Sequence, residues 1–242
     1  KTNFKQVVAA NQALQQAARK STQPEPVSIP APEWSPKDGV PTYPTLQAHE
    51  AAIQKAYKEQ MGFVRSTSLQ QAHMKAVHAY QDGAYSAVNK ALWGGTLTKA
   101  PESVRKSVRN LDYVMSLSSV PENTEVVRAQ GKQHPLYALA TQLQVGDQYE
   151  SPGYDSASLN HANTWGGGEV RVRYRLPKGA KAVFMNALTH APNAKGYTNS
   201  HAGEHECLIA RNSRWKVVGK TVDDEGRIEL TVELVKQTKP AD

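Results

Sequence analysis

The chain has 242 residues and a mass of 26.5 kDa, enough for one large domain or for one domain with an appendage. Apolar residues make up 39% and charged residues 21%, which is typical of a globular protein and excludes a collagen, a coiled coil or a wholly disordered chain. No apolar run approaches the roughly 18 residues of a membrane helix, so no membrane span is predicted. The formal net charge of +7 favours anionic partners without naming one.

The first 45 residues are predicted to form an extension. Residues 1–22 contain basic but no acidic residues, with apolar residues at helical spacing, which predicts a short basic amphipathic helix. This helix either packs on its own domain or binds a partner or membrane surface. Residues 23–45 are rich in proline, which removes the backbone donors that helices and sheets need, so we predict a semi-rigid linker.

The remainder changes its pattern near Pro121. Apolar residues recur at helical spacing from about 46 to 116, which predicts three or four helices. Short runs then predict strands at 125–129, 169–176, 181–185, 206–210, 214–218 and 228–235. In 169–176, apolar residues alternate with arginines, so one face is predicted to be buried and the other cationic. Helices followed by strands indicate an α+β fold, not a doubly wound parallel sheet.

The segment 201–205 spells H-x-x-E-H, a pattern that some zinc peptidases place on a helix. Glycine and asparagine crowd the preceding residues and an apolar run follows, which favours a loop leading into a strand. We therefore expect no metal site, and a zinc hydrolase is the least favoured class.

Glu204 and Glu206 would share one face if the strand begins at this segment. Two carboxylates on one wall can divide the chemistry of sugar transfer. One stabilises an oxocarbenium-like cation, and the other takes the proton of the incoming nucleophile. An isolated pair of this kind is more often a solvated strand edge, so the interpretation depends on the neighbouring motifs.

Two further motifs precede this pair. Arg128 ends the apolar run at 126–128, and the segment 153–159 carries Ser156 and Ser158 at strand spacing behind an aromatic residue. An arginine, then serines, then E-x-E resembles the R-S-E mono-ADP-ribosyltransferases, in the branch of exoenzyme toxins and phage enzymes. Ala157 stands where that family's motif has threonine, on the face away from the site.

The resemblance extends from about residue 80 to 220. Tyr85, Asn89 and Leu92 are similar to the family's Y-x-x-x-N-x-x-L helix, and residues 176–185 and 203–218 are similar to its closing strands. It implies helices followed by two packed, mainly antiparallel sheets with an NAD cleft between them. The predicted transferase domain spans residues 46–242, after the extension at 1–45.

The resemblance also implies residue roles. Arg128 would bind the phosphates of NAD, Ser156 would orient the catalytic glutamate and the nicotinamide ribose, and Glu206 would be that catalytic residue. Glu204 would guide or deprotonate the acceptor. The remaining residues are the cofactor contacts Tyr85, Asn89 and Gln133 and the substrate-recognition residues His201 and Tyr197.

The family associates Glu at the first E-x-E position with arginine acceptors, and Gln there with asparagine or cysteine acceptors. The implied reaction therefore moves ADP-ribose from NAD to an arginine of a target protein, for which the net charge favours an acidic surface, and releases nicotinamide without a metal. The implied setting is a secreted toxin or effector, or a phage protein, acting in a host cytoplasm. Two alternatives stay open: modification of RNA or another nucleic acid, and a non-catalytic binding module on the same scaffold. The basic residues suited to RNA lie on one predicted helix, at Lys99, Arg105, Lys106 and Arg109.

Overall fold

The computed structural model describes residues 28–30, 34, 39–61, 75–162, 168–189 and 202–238. The basic helix predicted at 1–22 lies outside these residues. The helices are α1 (Leu46–Met61), α2 (Tyr85–Trp93), α3 (Glu102–Leu117), α4 (Pro135–Gln142) and α5 (Met185–Thr189). Residues 75–79 are helical and continue through a π-helical turn, Tyr80–Ala84, into α2. Within the described ranges, no helix has the length and apolar character needed to cross a bilayer.

The strands confirm the α+β prediction, with helices preceding most of the sheet. They are β1 (Ser28–Pro30), β2 (Thr124–Gln130), β3 (Gln148–Ser151), β4 (Asp155–Ser158), β5 (Val170–Leu176), β6 (Ala182–Phe184), β7 (Glu206–Ile209), β8 (Ser213–Val222) and β9 (Ile228–Thr238). Their order in the sheet is β3-β8-β9-β5-β2-β4-β7-β6, and β1 pairs with β9. The β5–β9 pair is parallel, and the other paired strands are antiparallel.

The two expected sheets are joined at one point. β2 and β4 share a single residue pair, Val127 with Ser158, whereas β2 and β5 are paired along their whole length. A common buried cluster lies between the halves, with Val126 and Tyr174 on one side and Phe184 and Ile209 on the other. The halves therefore pack face to face although their hydrogen bonding is continuous.

The helices α2 and α3 cover the outer face of the β4-β7-β6 half, whereas α1 and α4 pack on the main core. Val108, Leu111 and Met115 of α3 recur at helical spacing and are buried, which gives this helix one apolar face. They form a second cluster with Val88 of α2 and Leu208 of β7. The β4-β7-β6 half thus lies between the helices and the main core, and its two faces carry different side chains.

Part of the segment predicted as a linker belongs to the sheet. β9 is longer than β5, and its pairing with β5 ends at Glu233. Ser28–Pro30 then pairs with Lys236–Thr238 of β9. The Trp34 ring lies 5.7 Å from the guanidinium carbon of Arg175. The Tyr43 hydroxyl donates to Glu122 at 2.7 Å. The described parts of 23–45 therefore pack on the domain, a result that proline content alone did not indicate.

The cationic face predicted for β5 is neutralised. Arg171 and Arg175 lie opposite acidic residues of the neighbouring strands, and Arg173 reaches glutamates at diagonal positions, because β5 lies between β2 and β9. The ion pairs join these arginines at 3.0–3.8 Å to Glu125, Glu229 and Glu233. The prediction of a cationic surface was wrong because the partner strands could not be read from local alternation.

Candidate active site

The carboxylate of Glu206 is held by two hydrogen bonds at the start of β7. The antiparallel register pairs Ser158 with Glu206 and Ser156 with Leu208, so the side chains of Ser156 and Glu206 share one face of the sheet. Ser156 Oγ donates to Glu206 Oε1 at 2.6 Å, and Gln81 Nε2 donates to Oε2 at 2.8 Å. Glu206 is 7% exposed. A buried carboxylate with both oxygens bonded is fixed in orientation before any ligand arrives.

Glu204 does not lie on the strand. Ala202–Glu204 form a 3₁₀ turn, and His205 has a φ of 48°, in the left-handed region. Strand alternation therefore begins only at Glu206, and the same-face argument that linked the two glutamates does not apply. Glu204 is half-buried, and its carbonyl oxygen accepts from Ser158 Oγ at 2.7 Å. The hydroxyl of Ser158 thus holds the turn that precedes β7.

His205, between the two glutamates, contacts Glu50 of α1, which α5 holds in turn. Its Nδ1 lies 2.6 Å from Oε1 of Glu50 on α1, and the same oxygen accepts from Asn186 Nδ2 of α5 at 2.8 Å. The left-handed conformation of a non-glycine residue costs about 1 kcal/mol or more, so these contacts stabilise the turn. Glu50 gives no signal in the sequence, because it lies 155 positions from its partner His205.

Arg128 lies on β2, beside Asp155 of β4. Its Nη1 is 3.9 Å from Oδ1 of Asp155, a carboxylate that is 3% exposed, while the Arg128 side chain is 21% exposed. Burial raises the pKa of Asp155, and the Arg128 cation opposes that rise. Burial raises the pKa of Tyr80, and the charge of Glu206 adds to that rise whereas the charge of Arg128 opposes it.

Both polar atoms of the Asn89 side chain form hydrogen bonds within the protein. Its Nδ2 donates to the Tyr80 hydroxyl at 2.9 Å, and its Oδ1 accepts from the backbone N–H of Tyr154 at 3.1 Å. A Cβ at Gly153 would lie 2.8 Å from that Oδ1 and 2.7 Å from Trp93 Nε1, so only glycine fits between α2 and β4. These contacts give Asn89 a structural role beside its predicted contact with NAD.

The other predicted contacts lie at the surface or outside the described residues. Tyr85 is 52% exposed, and its ring centroid lies 6.3 Å from that of Tyr80. Gln133 is exposed in the turn before α4. His201 and Tyr197 lie outside the part of the chain that the structure describes. Among the described residues, no three His, Cys, Asp or Glu side chains are grouped to hold a metal ion.

His134 is a second residue that the sequence did not single out. Its Nδ1 accepts from the backbone N–H of Leu136 at 3.2 Å, which caps α4. Its ring lies edge-on to Trp93, with 5.6 Å between centroids. Burial, with a smaller contribution from the Arg128 cation, lowers the pKa of His134 to about 4. The imidazole is therefore neutral near pH 7.

This low pKa predicts a loss of stability in acid. Between pH 6.5 and 4 the unfolded chain binds a proton at His134 and the folded chain does not, so stability falls as the pH is lowered through this window. His134→Asn keeps a capping oxygen but does not titrate. Urea unfolding at pH 7 and 4.5 should show a fall in the free energy of unfolding that is about 1–2 kcal/mol smaller in the variant, allowing for partial exposure of the ring. An equal fall in both proteins would contradict the assignment.

The fold and this constellation of arginine, serine and glutamate are those of an ADP-ribosyltransferase scaffold. The profile of the ADP-ribosyltransferase exoenzyme family matches residues 49–239, and the chain belongs to this family. The family resemblance found in the sequence is thereby confirmed.

Individual relatives agree with this assignment. Epidermal cell differentiation inhibitor of Staphylococcus aureus is 26% identical over a 173-residue alignment that covers 60% of this chain and 66% of that protein, just under two thirds of its length. The structure of C3stau2 from S. aureus with NAD is 21% identical and covers 76% of this chain and 95% of that chain, with a TM-score of 0.55. The C3 exoenzyme of Clostridium limosum is 18% identical and covers 82% and 98%, with a TM-score of 0.62. These two structures show that the fold is shared.

Proposed function

We propose that the chain is an NAD-dependent mono-ADP-ribosyltransferase that transfers ADP-ribose to an arginine side chain of a protein. The observation that carries this proposal is the buried carboxylate of Glu206, bonded by Ser156 and Gln81. In the reaction, the bond between the ribose C1′ and nicotinamide breaks and a bond from C1′ to a guanidinium nitrogen forms. Nicotinamide leaves neutral, and the acceptor nitrogen releases one proton.

Glu206 supplies negative charge where positive charge develops. As nicotinamide departs, the ribose takes on oxocarbenium character, and a fixed carboxylate stabilises that cation without reorganising. The hydrogen bonds from Ser156 and Gln81 provide this fixed orientation. Ser156 is therefore assigned to orienting Glu206, as the family resemblance implies.

Arg128 suits the pyrophosphate of NAD. A guanidinium binds phosphate oxygens through two parallel hydrogen bonds, which orients as well as attracts the ligand. Asp155 is buried beside it, at 3.9 Å, and lies on the opposite face of β4 from Ser156. The Asp155 carboxylate pairs with the guanidinium, and 21% of the Arg128 side chain remains exposed, so a ligand can reach it.

The choice of arginine as acceptor rests on Glu204. A guanidinium has a pKa above about 12, so it keeps its proton until the new bond forms and a base must accept that proton during the transfer. Glu204 lies in the 3₁₀ turn two residues before Glu206 and is half-buried. The family resemblance associates glutamate at this position with arginine acceptors.

The proposal is tested with the purified chain, NAD labelled in its adenylate part, and bacterial and animal-cell lysates. We expect nicotinamide release together with labelled bands that protease removes and RNase does not. Labelled material removed by RNase would overturn the protein acceptor in favour of nucleic acid. A chain that neither releases nicotinamide nor binds NAD would overturn the transferase activity and leave a binding module on the same scaffold.

The structure weakens the support for an RNA acceptor. Of the predicted basic cluster, Lys99 lies in a separate 3₁₀ turn and the other residues lie on α3. Arg105 and Arg109 both pair with Glu102, at 2.7 and 2.5 Å. Part of the charge that would attract phosphate is thus compensated within the helix. We accordingly propose a protein target, modified by a secreted toxin or effector inside a host cell.

A further inference from the structure

Gln81 is a buried side chain in which only the nitrogen of the amide forms a hydrogen bond within the described residues. It lies in the π-helical turn before α2 and is 9% exposed. Its Nε2 donates to Glu206 Oε2 at 2.8 Å, whereas its Oε1 is buried and has no hydrogen-bond partner among the described residues. An unpaired buried acceptor destabilises a fold by about 1–3 kcal/mol, so its retention requires an explanation.

The orientation of this amide is determined by Glu206. Rotating the amide by half a turn would place its oxygen against a carboxylate oxygen and its two donors away from it. The unpaired acceptor is therefore a consequence of holding Glu206. The unpaired oxygen Oε1 of Gln81 lies close to the Glu206 carboxylate, because it is bonded to the same carbon as Nε2, which contacts that carboxylate.

The local backbone is specialised at this point. The helical path is kinked between residue 79 and α2, because Gly83 does not have helical backbone angles. Here the turn contains Gly83 with a φ of 126°, a value that favours glycine. Tyr80, at the start of the turn, is buried and bonded to Asn89. The turn therefore places Gln81 against Glu206 from a well-anchored helix.

We propose that Gln81 binds the ribose next to nicotinamide, accepting a hydroxyl proton at Oε1 while its Nε2 holds Glu206. This inference rests on the proposed function. A ribose presents two neighbouring hydroxyl donors, and a carboxylate beside an amide oxygen presents two neighbouring acceptors. Glu206 accepts from one hydroxyl and Gln81 from the other, which satisfies the acceptor that is unpaired in the protein alone.

The first test compares NAD with ADP, which lacks this ribose. Gln81→Met keeps the length of the side chain but removes both polar groups. By calorimetry, the variant should bind NAD at least about tenfold more weakly, since a site that bonds a hydroxyl loses its partner, and should bind ADP as the wild type does. Asp82→Asn, an exposed change in the same turn, is the matched control and should alter neither affinity.

A second variant covers the case in which Gln81→Met does not fold. Gln81→Glu retains the acceptor but places a second carboxyl against Glu206, and two such groups share a proton. The acid limb of the pH profile of kcat/KM should move upward by about one unit or more. Glu204, His205 and Glu50 lie at the turn beside Glu206 and are unchanged in the variant, and burial raises the pKa of the neighbouring Tyr80 and Cys207, so these two stay protonated.

The outcomes separate this inference from the proposed function. If the wild type neither binds NAD nor releases nicotinamide, the proposed function fails. If the wild type does both, but Gln81→Met binds NAD and ADP with unchanged affinities, or Gln81→Glu leaves the pH profile in place, then only the assignment of Gln81 is overturned. A selective loss of NAD affinity supports it.

Discussion

Glu206→Gln is expected to lower the rate of nicotinamide release by a factor of roughly 10²–10³, the range for loss of one preorganised electrostatic contact in an active site. The amide has nearly the same shape and retains an oxygen that accepts from Ser156, but it carries no charge to stabilise the oxocarbenium-like cation. Its NH₂ group would meet Gln81 Nε2, so the Gln81 amide must turn to accept from it, and the substitution removes the charge with little change in volume.

The measurement is nicotinamide release at saturating NAD, beside urea unfolding of the same preparations. Glu225→Gln is the matched control, since it makes the same chemical change at an exposed position in the turn between β8 and β9. The control should keep wild-type activity, and both variants should unfold near the wild-type midpoint. If Glu206→Gln retained more than about a tenth of the wild-type rate, Glu206 would not be the carboxylate that stabilises the cation.

Glu204→Gln is expected to separate the two halves of the reaction. Cleavage of NAD depends on Glu206, whereas transfer to arginine also needs a base for the guanidinium proton, a contribution of about 10²–10⁴ in rate. The variant should therefore release nicotinamide to water at close to the wild-type rate and lose transfer to a guanidinium acceptor by a factor in this range. Glutamine keeps the length of the side chain, so the turn at Ala202–Glu204 should persist.

Both activities are measured on the same samples, as free nicotinamide and as label on agmatine or an arginine-rich protein. Equal loss of the two activities would show that Glu204 serves NAD cleavage, and the division of roles between the glutamates would be abandoned. Unchanged transfer would show that another group accepts the proton, and the case for arginine as the acceptor would lose its basis.

The sequence predicted the fold class from local patterns. Buried residues of α3 recur at helical spacing and those of β5 alternate, and both patterns survive in the structure because each reflects one buried face of one element. The order of arginine, serines and glutamates likewise indicated the family that the profile match confirms. The roles assigned to Arg128, Ser156 and Glu206 stay predictions until the variants are measured.

Features of the site that depend on distant partners were missed. Gln81 meets Glu206 across 125 positions, and Glu50 meets His205 across 155. A lone glutamine on a helix gives no signal in one sequence, because nothing in its neighbours reveals which strand will face it. The turn at Glu204 was also misjudged, since a left-handed φ at histidine is not a residue preference that local reasoning expects.

The sequence by itself determined the fold class, most of the long helices and strands, and the family to which the order of motifs belongs, because hydrophobic periodicity and motif order are carried by neighbouring residues. Only the tertiary structure decided which residues that are distant in the chain become partners. It neutralised the arginines of β5 with Glu125, Glu229 and Glu233, brought the edge strand Ser28–Pro30 onto β9, and left one amide oxygen of Gln81 unpaired beside Glu206. The physical reason is that pairing energies depend on distances between residues far apart in the chain, and those distances exist only once the sheet has formed.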